Sequence, residues 1–282
     1  MILSQLTRIS NFTVKILLQS IFLLLFCGQA FAGAWVQDKG NGLSITTVGW
    51  YVSNEFWDQS NHLNRGSHYR KLEINPYLEY GLTKDLTVGV NAFIQSIVST
   101  GQGSNFGAGD VEIFGRYRLW KSDNSTVSTQ ILVKVPEAYD HHELPLLGQG
   151  QYDVEWRMLY GHSWVWGPSN WFVNVEGGFR KRFGRPADEM RFDWAIGWKS
   201  PSENWEIGLK QENIVGLRNN TGVTPDDPFK EQSADYDLYK MNLNATYWVG
   251  RKVGIQSGIT RDVFGRNTGK AVEPFVALWI KF

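Results

Sequence analysis

Cysteine is almost absent from this chain. Its one copy, Cys27, falls in a stretch expected to be cut away, so neither a disulfide nor a thiolate metal site is expected in what remains. Phe26 before it is too bulky for lipoprotein cleavage. Long apolar runs are missing as well. The mean hydropathy is −0.30, and a helical membrane protein needs about 20 consecutive apolar residues per span. Excess charge of either sign is the third absence: 28 Lys+Arg balance 28 Asp+Glu. A nucleic-acid binder would carry a basic face, so no nucleic-acid partner is expected.

Aromatic residues are abundant, at 14% with 13 Trp. High aromatic content with modest hydropathy fits a β-barrel in a membrane, apolar on one face of every strand and polar on the other. The front of the chain has the pattern of a secretory leader. Arg8 and Lys15 precede an apolar core from Ile16 to Cys27, and Ala30-Phe31-Ala32 gives an A-x-A cleavage signal. The expected organisation is therefore a signal peptide over 1–32 and one barrel over 33–282, starting at Gly33. No shift in composition marks a second domain, and the roughly 250 residues after Ala32 suit a single barrel.

From Leu43 onward the chain divides into segments of period two, each about the length of a tilted membrane strand. Twelve are predicted: Leu43–Ser53, Tyr69–Tyr80, Leu86–Ile97, Gly109–Trp120, Thr126–Val135, Gln151–Tyr160, Trp171–Phe183, Arg191–Lys199, Trp205–Asn213, Tyr236–Val249, Val253–Arg261 and Val272–Phe282. In the eighth, Phe192, Trp194, Ile196 and Trp198 oppose Arg191, Asp193, Ala195, Gly197 and Lys199. The last alternates through Val276, Leu278, Ile280 and Phe282, and a terminal aromatic strand is what outer-membrane barrels present to their insertion machinery. The connectors also alternate. Short ones (Gly81–Asp85, Lys121–Ser125, Val165–Asn170, Ser200–Asn204, Gly250–Lys252) interleave with others that are mostly longer: Asn54–His68, Val98–Ala108, Pro136–Gly150, Gly184–Met190, Ile214–Asp235 and Asp262–Ala271. Short periplasmic turns and longer outer loops give that rhythm. The fold class is all-β: a closed antiparallel transmembrane barrel of twelve strands in the outer membrane of a Gram-negative cell.

With the apolar faces toward lipid, the opposite faces line the lumen. The candidate lining is Lys71, Glu73, Asp110, Glu112, Arg116, Arg118, Gln130, Lys134, Asp153, Glu155, Arg157, Glu176, Arg180, Arg182, Arg191, Asp193, Glu206, Lys210 and Glu212. Both signs are interspersed. One reading is an internal hydrogen-bonded lattice that holds the barrel's shape; the other is a sieve for a polar or anionic solute. Arg116, Arg118, Arg180 and Arg182 offer planar donors that suit carboxylate or phosphate.

Chemistry beyond the lumen is sparse. The histidines are His62, His68, His141, His142 and His162, and His141-His142-Glu143 is a local cluster. Adjacent residues rarely ligate one ion well, so no metal and no cofactor is expected. His162-Ser163 point to opposite faces of a strand and cannot bond to each other. Neither a nucleophile elbow nor a zinc motif is present. Gly101-Gln102-Gly103 has no helix after it to complete a phosphate cradle. The chain is read as a non-enzyme. Glu55-Phe56-Trp57-Asp58 would suit stacking on sugar rings or an upper aromatic girdle, the latter preferred. The polar loop Ile214–Asp235 is open to either an inward or an outward fold.

Two stretches carry a family resemblance. Lys71-Leu72-Glu73-Ile74-Asn75-Pro76-Tyr77-Leu78-Glu79-Tyr80-Gly81-Leu82-Thr83-Lys84-Asp85-Leu86-Thr87-Val88-Gly89 resembles the "YLEYGLTDRLTLG" hairpin of outer-membrane barrels associated with a phenol-degradation pathway (the MetA type). Gly109-Asp110-Val111-Glu112-Ile113-Phe114-Gly115-Arg116-Tyr117-Arg118-Leu119-Trp120 is similar to the same group's "GDxELxxRYRLW" strand. Gly33-Ala34-Trp35-Val36-Gln37 and the run from Gly150 to Gly161 resemble the XagA-like branch, named for a surface exopolysaccharide cluster. The resemblance spans most of the chain after the leader and implies a barrel channel; it transfers no catalytic residue. It also implies export of surface polysaccharide, or passage of small polar or aromatic solutes. The alternative is a surface adhesion or scaffold barrel whose outer loops bind glycan or envelope partners.

Overall fold

The computed structural model describes residues 33–136, 138–140, 143–220 and 233–282. The expected leader, His141, His142 and most of the loop 214–235 lie outside them. Twelve strands follow in chain order: β1 (Gly42–Trp57), β2 (Leu63–Gly81), β3 (Leu86–Ser99), β4 (Gly103–Lys121), β5 (Ser125–Val135), β6 (Asp153–Trp166), β7 (Ser169–Arg182), β8 (Glu189–Lys199), β9 (Trp205–Gly216), β10 (Asp237–Val249), β11 (Val253–Arg266) and β12 (Thr268–Lys281). Each pairs antiparallel with its sequence neighbours, and β1 closes on β12 from Leu43↔Lys281 to Trp57↔Thr268. Closure leaves no free sheet edge, which hydrocarbon would not tolerate.

The barrel is inside out. Its outward positions are large and apolar: Ile113, Trp156, Phe192 and Ile255 are each about half exposed, at 55%, 50%, 53% and 56%. Among the described residues, buried polar side chains outnumber buried apolar ones. Successive side chains on a strand point to opposite faces, so one period-two pattern builds both surfaces. Aromatic rings gather near the strand ends. Tyr80, Trp120, Trp166, Trp205 and Tyr247 are exposed toward the periplasmic turns, with Trp205 and Tyr247 4.9 Å apart between centroids. Phe106, Tyr152 and Phe183 are exposed toward the outer end.

The strands run further outward than the alternation indicated. The expected loop Asn54–His68 shrinks to a turn over 58–62, Val98–Ala108 to 100–102, and Asp262–Ala271 to the single residue Asn267. Backbone pairing continues past the apolar belt, where both faces meet water and the side chains lose their period. The extended outer connections that remain are 136–152, 183–188 and 217–236. Phe56 and Trp57 are buried at 7% and 6%. A register shift between Ser53 and Glu55 breaks the alternation there, and Trp57 packs 6.5 Å from Phe264. They form neither a stacking platform nor a lipid-facing girdle.

Candidate functional site

The lumen has three parts: a charged wall, a cavity in its outer half, and a strap across its periplasmic half. The wall is built by β4 to β8. Lys134 Nζ lies 3.1 Å from Asp110 and 3.4 Å from Asp153. Arg157 reaches Asp193 at 2.6 Å, Glu176 at 3.1 Å, and Glu155. Arg180 bonds Glu155 at 2.6 Å and Glu112 at 3.1 Å. Arg182 and Arg191 share Glu189, each at 2.5 Å, and Arg191 also meets Glu155 at 3.3 Å. Lys134, Asp153, Glu155 and Arg180 are no more than 4% exposed. Charges this deep persist only when paired and hydrogen-bonded on several sides. The arginines of this wall are therefore already engaged by carboxylates.

The other sequence-predicted residues separate from that lattice. Lys71 pairs with Glu73 at 2.6 Å on β2, and Lys210 with Glu212 at 2.7 Å on β9, where Glu212 stands in register with Asp193 at the lattice's edge. Arg116 meets Glu79 at 3.3 Å and Gln130 at 3.1 Å in the periplasmic half. Arg118 bends over the periplasmic turn to Asp85 at 2.8 Å and so belongs to the mouth. Glu206 lies near the same end, 3.6 Å from Lys199. Sequence reasoning missed Glu79, Glu189, Lys240, Asp262 and Glu273. Each keeps the inward phase of its strand: Glu79, Lys240 and Glu273 lie inside the expected strands, and Glu189 and Asp262 one or two residues beyond an expected end, so the alternation itself could have found them. The wall opposite the lattice is largely amide: Asn75 bonds Asn91 at 2.7 Å, and Gln256 bonds Thr246 at 3.0 Å.

The outer half holds a cavity of about 620 Å³. Tyr51, Tyr69, Phe93 and Tyr236 supply ring surface; Lys71, Lys240 and Arg191 bring positive charge, and Glu112, Asp193 and Glu212 negative. Its size falls within the range of small-ligand sites. The ends of the expected loop 214–235 are pinned beside it: Arg218 bonds Asp237 at 2.6 Å, and Arg266 holds both Asp237, at 3.0 Å, and Asp235.

In the connector between β7 and β8, Asp188 accepts from the Arg182 N–H and Lys181, each at 2.8 Å, and from Asn219 at 2.7 Å. Burial opposes its ionisation, but these donors outweigh burial and hold the carboxyl below its usual range. A depressed folded pKa gives stability that is present above the unfolded value and lost as pH falls through the folded one. Limited proteolysis of the outer loops should thus be unchanged above about pH 5 and accelerate below about pH 4. Asp188→Asn should flatten that dependence; an unaltered acid response would assign it to other groups.

The strap is the segment 33–41, which enters at the periplasmic end and runs past β3, β4 and β5 to β7. Gly81 N–H donates to the Asn41 carbonyl and Gly40 N–H to the Gly81 carbonyl, both at 2.9 Å. Gln37 N–H donates to Thr87 at 2.7 Å, and its side chain donates to Glu79 at 2.5 Å. Arg116 donates to the Trp35 carbonyl at 3.0 Å, and Ser128 to the Ala34 carbonyl at 2.5 Å. Ala34 N–H reaches Asn174 at 3.4 Å. Nothing in the alternation signals this segment, because beyond its backbone bonds to Gly81 its partners are single side chains and not a neighbouring strand.

Ser125 Oγ lies 2.7 Å from His162 Nδ1, across the β5–β6 pair and on the outward face. His162 stacks on Trp164 at 5.8 Å, and among the described residues no carboxylate accepts a hydrogen bond from it to orient the ring. Among those residues, no group of three or more His, Cys, Asp or Glu could hold an ion.

The chain is similar to solved outer-membrane barrels. The COG4313 outer membrane channel from Pseudomonas putida F1 matches with a TM-score of 0.69 at 13% identity, over 90% of this chain and 100% of that one. KdgM porin (TM-score 0.47, 7% identity, 84% and 99% covered) and NanC porin (0.48, 8%, 83% and 100%) are more distant. At these identities the likeness is one of fold. No family model matches the chain, and no curated protein does.

Proposed function

We propose that this barrel is an outer-membrane channel for small polar solutes. The observation that carries the reading is the cavity of about 620 Å³, lined by charge and aromatic rings, inside a wall whose outer surface is apolar. A purely structural interior would be filled by side chains. The barrel of similar fold from Pseudomonas putida F1 is an outer membrane channel, which supports the same reading here. With the arginine lattice occupied by its own carboxylates, solutes are left the side of the cavity bounded by Lys71 and Lys240. Exopolysaccharide as cargo rests on the XagA-like resemblance, and an extended polymer would require the strap to leave the lumen.

Purified, folded protein in planar bilayers should give discrete, small conductance steps, and liposomes containing it should swell in small sugars or amino acids. Complete silence in both assays would overturn the channel and favour the adhesion or scaffold barrel, for which the closed lattice and strap would suffice.

A further inference from the structure

We infer that the stretch 145–150, in the outer connection between β5 and β6, folds into a constriction, and that Gln149 on it decides which solutes enter the cavity. The assignment rests on the channel reading above and names the residue that gives the passage its specificity. A connector at the outer end of a barrel has water around it and no need to enter the lumen. This one descends along the inward face of β4. Leu147 is 4% exposed, and a Cβ at Gly109 would collide with its carbonyl. A Cβ at Gly107 would fall 2.9 Å from the Leu147 side chain, and Asn105 donates to the Pro145 carbonyl at 3.2 Å. Positions 105, 107 and 109 share one face of the strand, and all three are given to seating this stretch.

Its tip is fixed from two sides. Asp110 accepts from the Tyr139 hydroxyl at 2.7 Å and from the Gln149 N–H at 3.2 Å. The Gly150 N–H donates to the same hydroxyl at 2.7 Å. With its backbone held on the β4 side, Gln149 reaches across the mouth with its side chain. The amide oxygen accepts from Arg182, and the amide nitrogen donates to the Tyr236 hydroxyl at 3.4 Å. Arg182 donates to that hydroxyl too, at 3.2 Å. Tyr236 directly precedes β10, which stands opposite β4 in the twelve-stranded ring. The bridge from Asp110 through Gln149 to Tyr236 therefore spans the mouth.

The opening it leaves faces β1 to β3, where Tyr51, Tyr69 and Phe93 line the same cavity as Gln149 and Tyr236. Arg182 is paired with Glu189 at 2.5 Å and Asp110 with Lys134 at 3.1 Å, so the charges in the bridge are already balanced. The rim of the gap is thus an amide and phenol groups, which suit hydrogen-bonding solutes of either sign or none. A narrow gap with low-dielectric walls concentrates the field of any charge placed on its rim. Selection by the native rim is by size and hydrogen bonding; a charge at position 149 would impose selection by sign.

The test uses the full chain, single-channel recording in a KCl gradient, and heat-modifiable gel migration to show that each barrel is folded. Gln149→Ala should raise conductance and let liposomes swell in disaccharides that wild type excludes. Gln149→Glu and Gln149→Lys should move the cation-to-anion permeability ratio about tenfold in opposite directions, equivalent to about 1.4 kcal/mol each. Ser60→Glu, on the exposed β1–β2 turn, should leave that ratio unchanged; an equal shift there would assign the effect to surface charge and overturn the constriction. Wild-type conductance from Gln149→Ala, with unchanged selectivity in both charged variants, would also overturn the constriction and leave the channel standing. Silence from folded wild type and every folded variant would overturn the channel, and the constriction with it. Should the charged variants not fold, Gln149→Cys in a Cys27→Ser background decides. A negatively charged thiol reagent should then lower its current, and an unchanged current would overturn the constriction.

Discussion

Replacing Glu155 by Gln should lower the barrel's unfolding free energy by roughly 3–5 kcal/mol, the cost of breaking a buried ion pair from one side. Glu155 is 1% exposed and faces three guanidiniums: Arg157, Arg180 at 2.6 Å and Arg191 at 3.3 Å. An amide of the same shape keeps the packing and removes the charge. Asp193, Glu176, Glu112 and Glu189 still serve those arginines, which places the expectation toward the lower end of the range. Adding Arg180→Met should restore part of the loss, because the two residues belong to one network and their effects do not add. Urea unfolding from lipid vesicles measures both. A loss below about 1 kcal/mol for Glu155→Gln would be the behaviour of a solvated surface pair, and would mean water reaches the lattice freely.

The same lattice explains the division of labour inside the lumen. Arginine's planar fork can hold two carboxylates at once, and here it is used to brace β4 to β8 from within. Lys71 and Lys240, outside the lattice, are compact charges on flexible stems. Lys71 pairs with its own neighbour Glu73 at i+2, which constrains the wall less than Arg180 does by spanning from β7 to β4. A solute displacing Lys71 from Glu73 disturbs one pair; one displacing Arg180 disturbs a wall.

Which residues share a face of a strand was legible because the pleat is geometric. Once Arg191 and Asp193 are set against Phe192 and Trp194, side follows from parity. Strand count and neighbour order followed from the same pattern with the turn signals. Three things were not legible. Strand ends were not, because outside the hydrocarbon both faces are wet; Asn64 and Arg65 in β2 carry no apolar alternation. Ion-pair choice across the lumen was not, because Arg180 finding Glu112 depends on how adjacent strands are staggered. The placement of Ala34, Trp35 and Gln37 was not, because one-off hydrogen bonds to Ser128, Arg116 and Thr87 leave no periodic trace. The one local hint was Gly161, a small residue in a strand otherwise rich in large ones, where a Cβ would fall 2.5 Å from Trp35 Nε1.

The account depends on lipid touching one face of every strand and a polar lumen the other, and two neighbours on β2 test this most directly. Ile74 points outward and is 38% exposed; Asn75 points inward and donates to Asn91 at 2.7 Å. Refolding into vesicles followed by urea titration should show Ile74→Arg losing about 2–4 kcal/mol, the cost of an arginine near the bilayer midplane. Asn75→Arg should lose only about 1 kcal/mol, the worth of the amide hydrogen bonds it gives up. The reverse ranking, or a chain that stays dissolved and folded without detergent or lipid, would contradict the inside-out barrel.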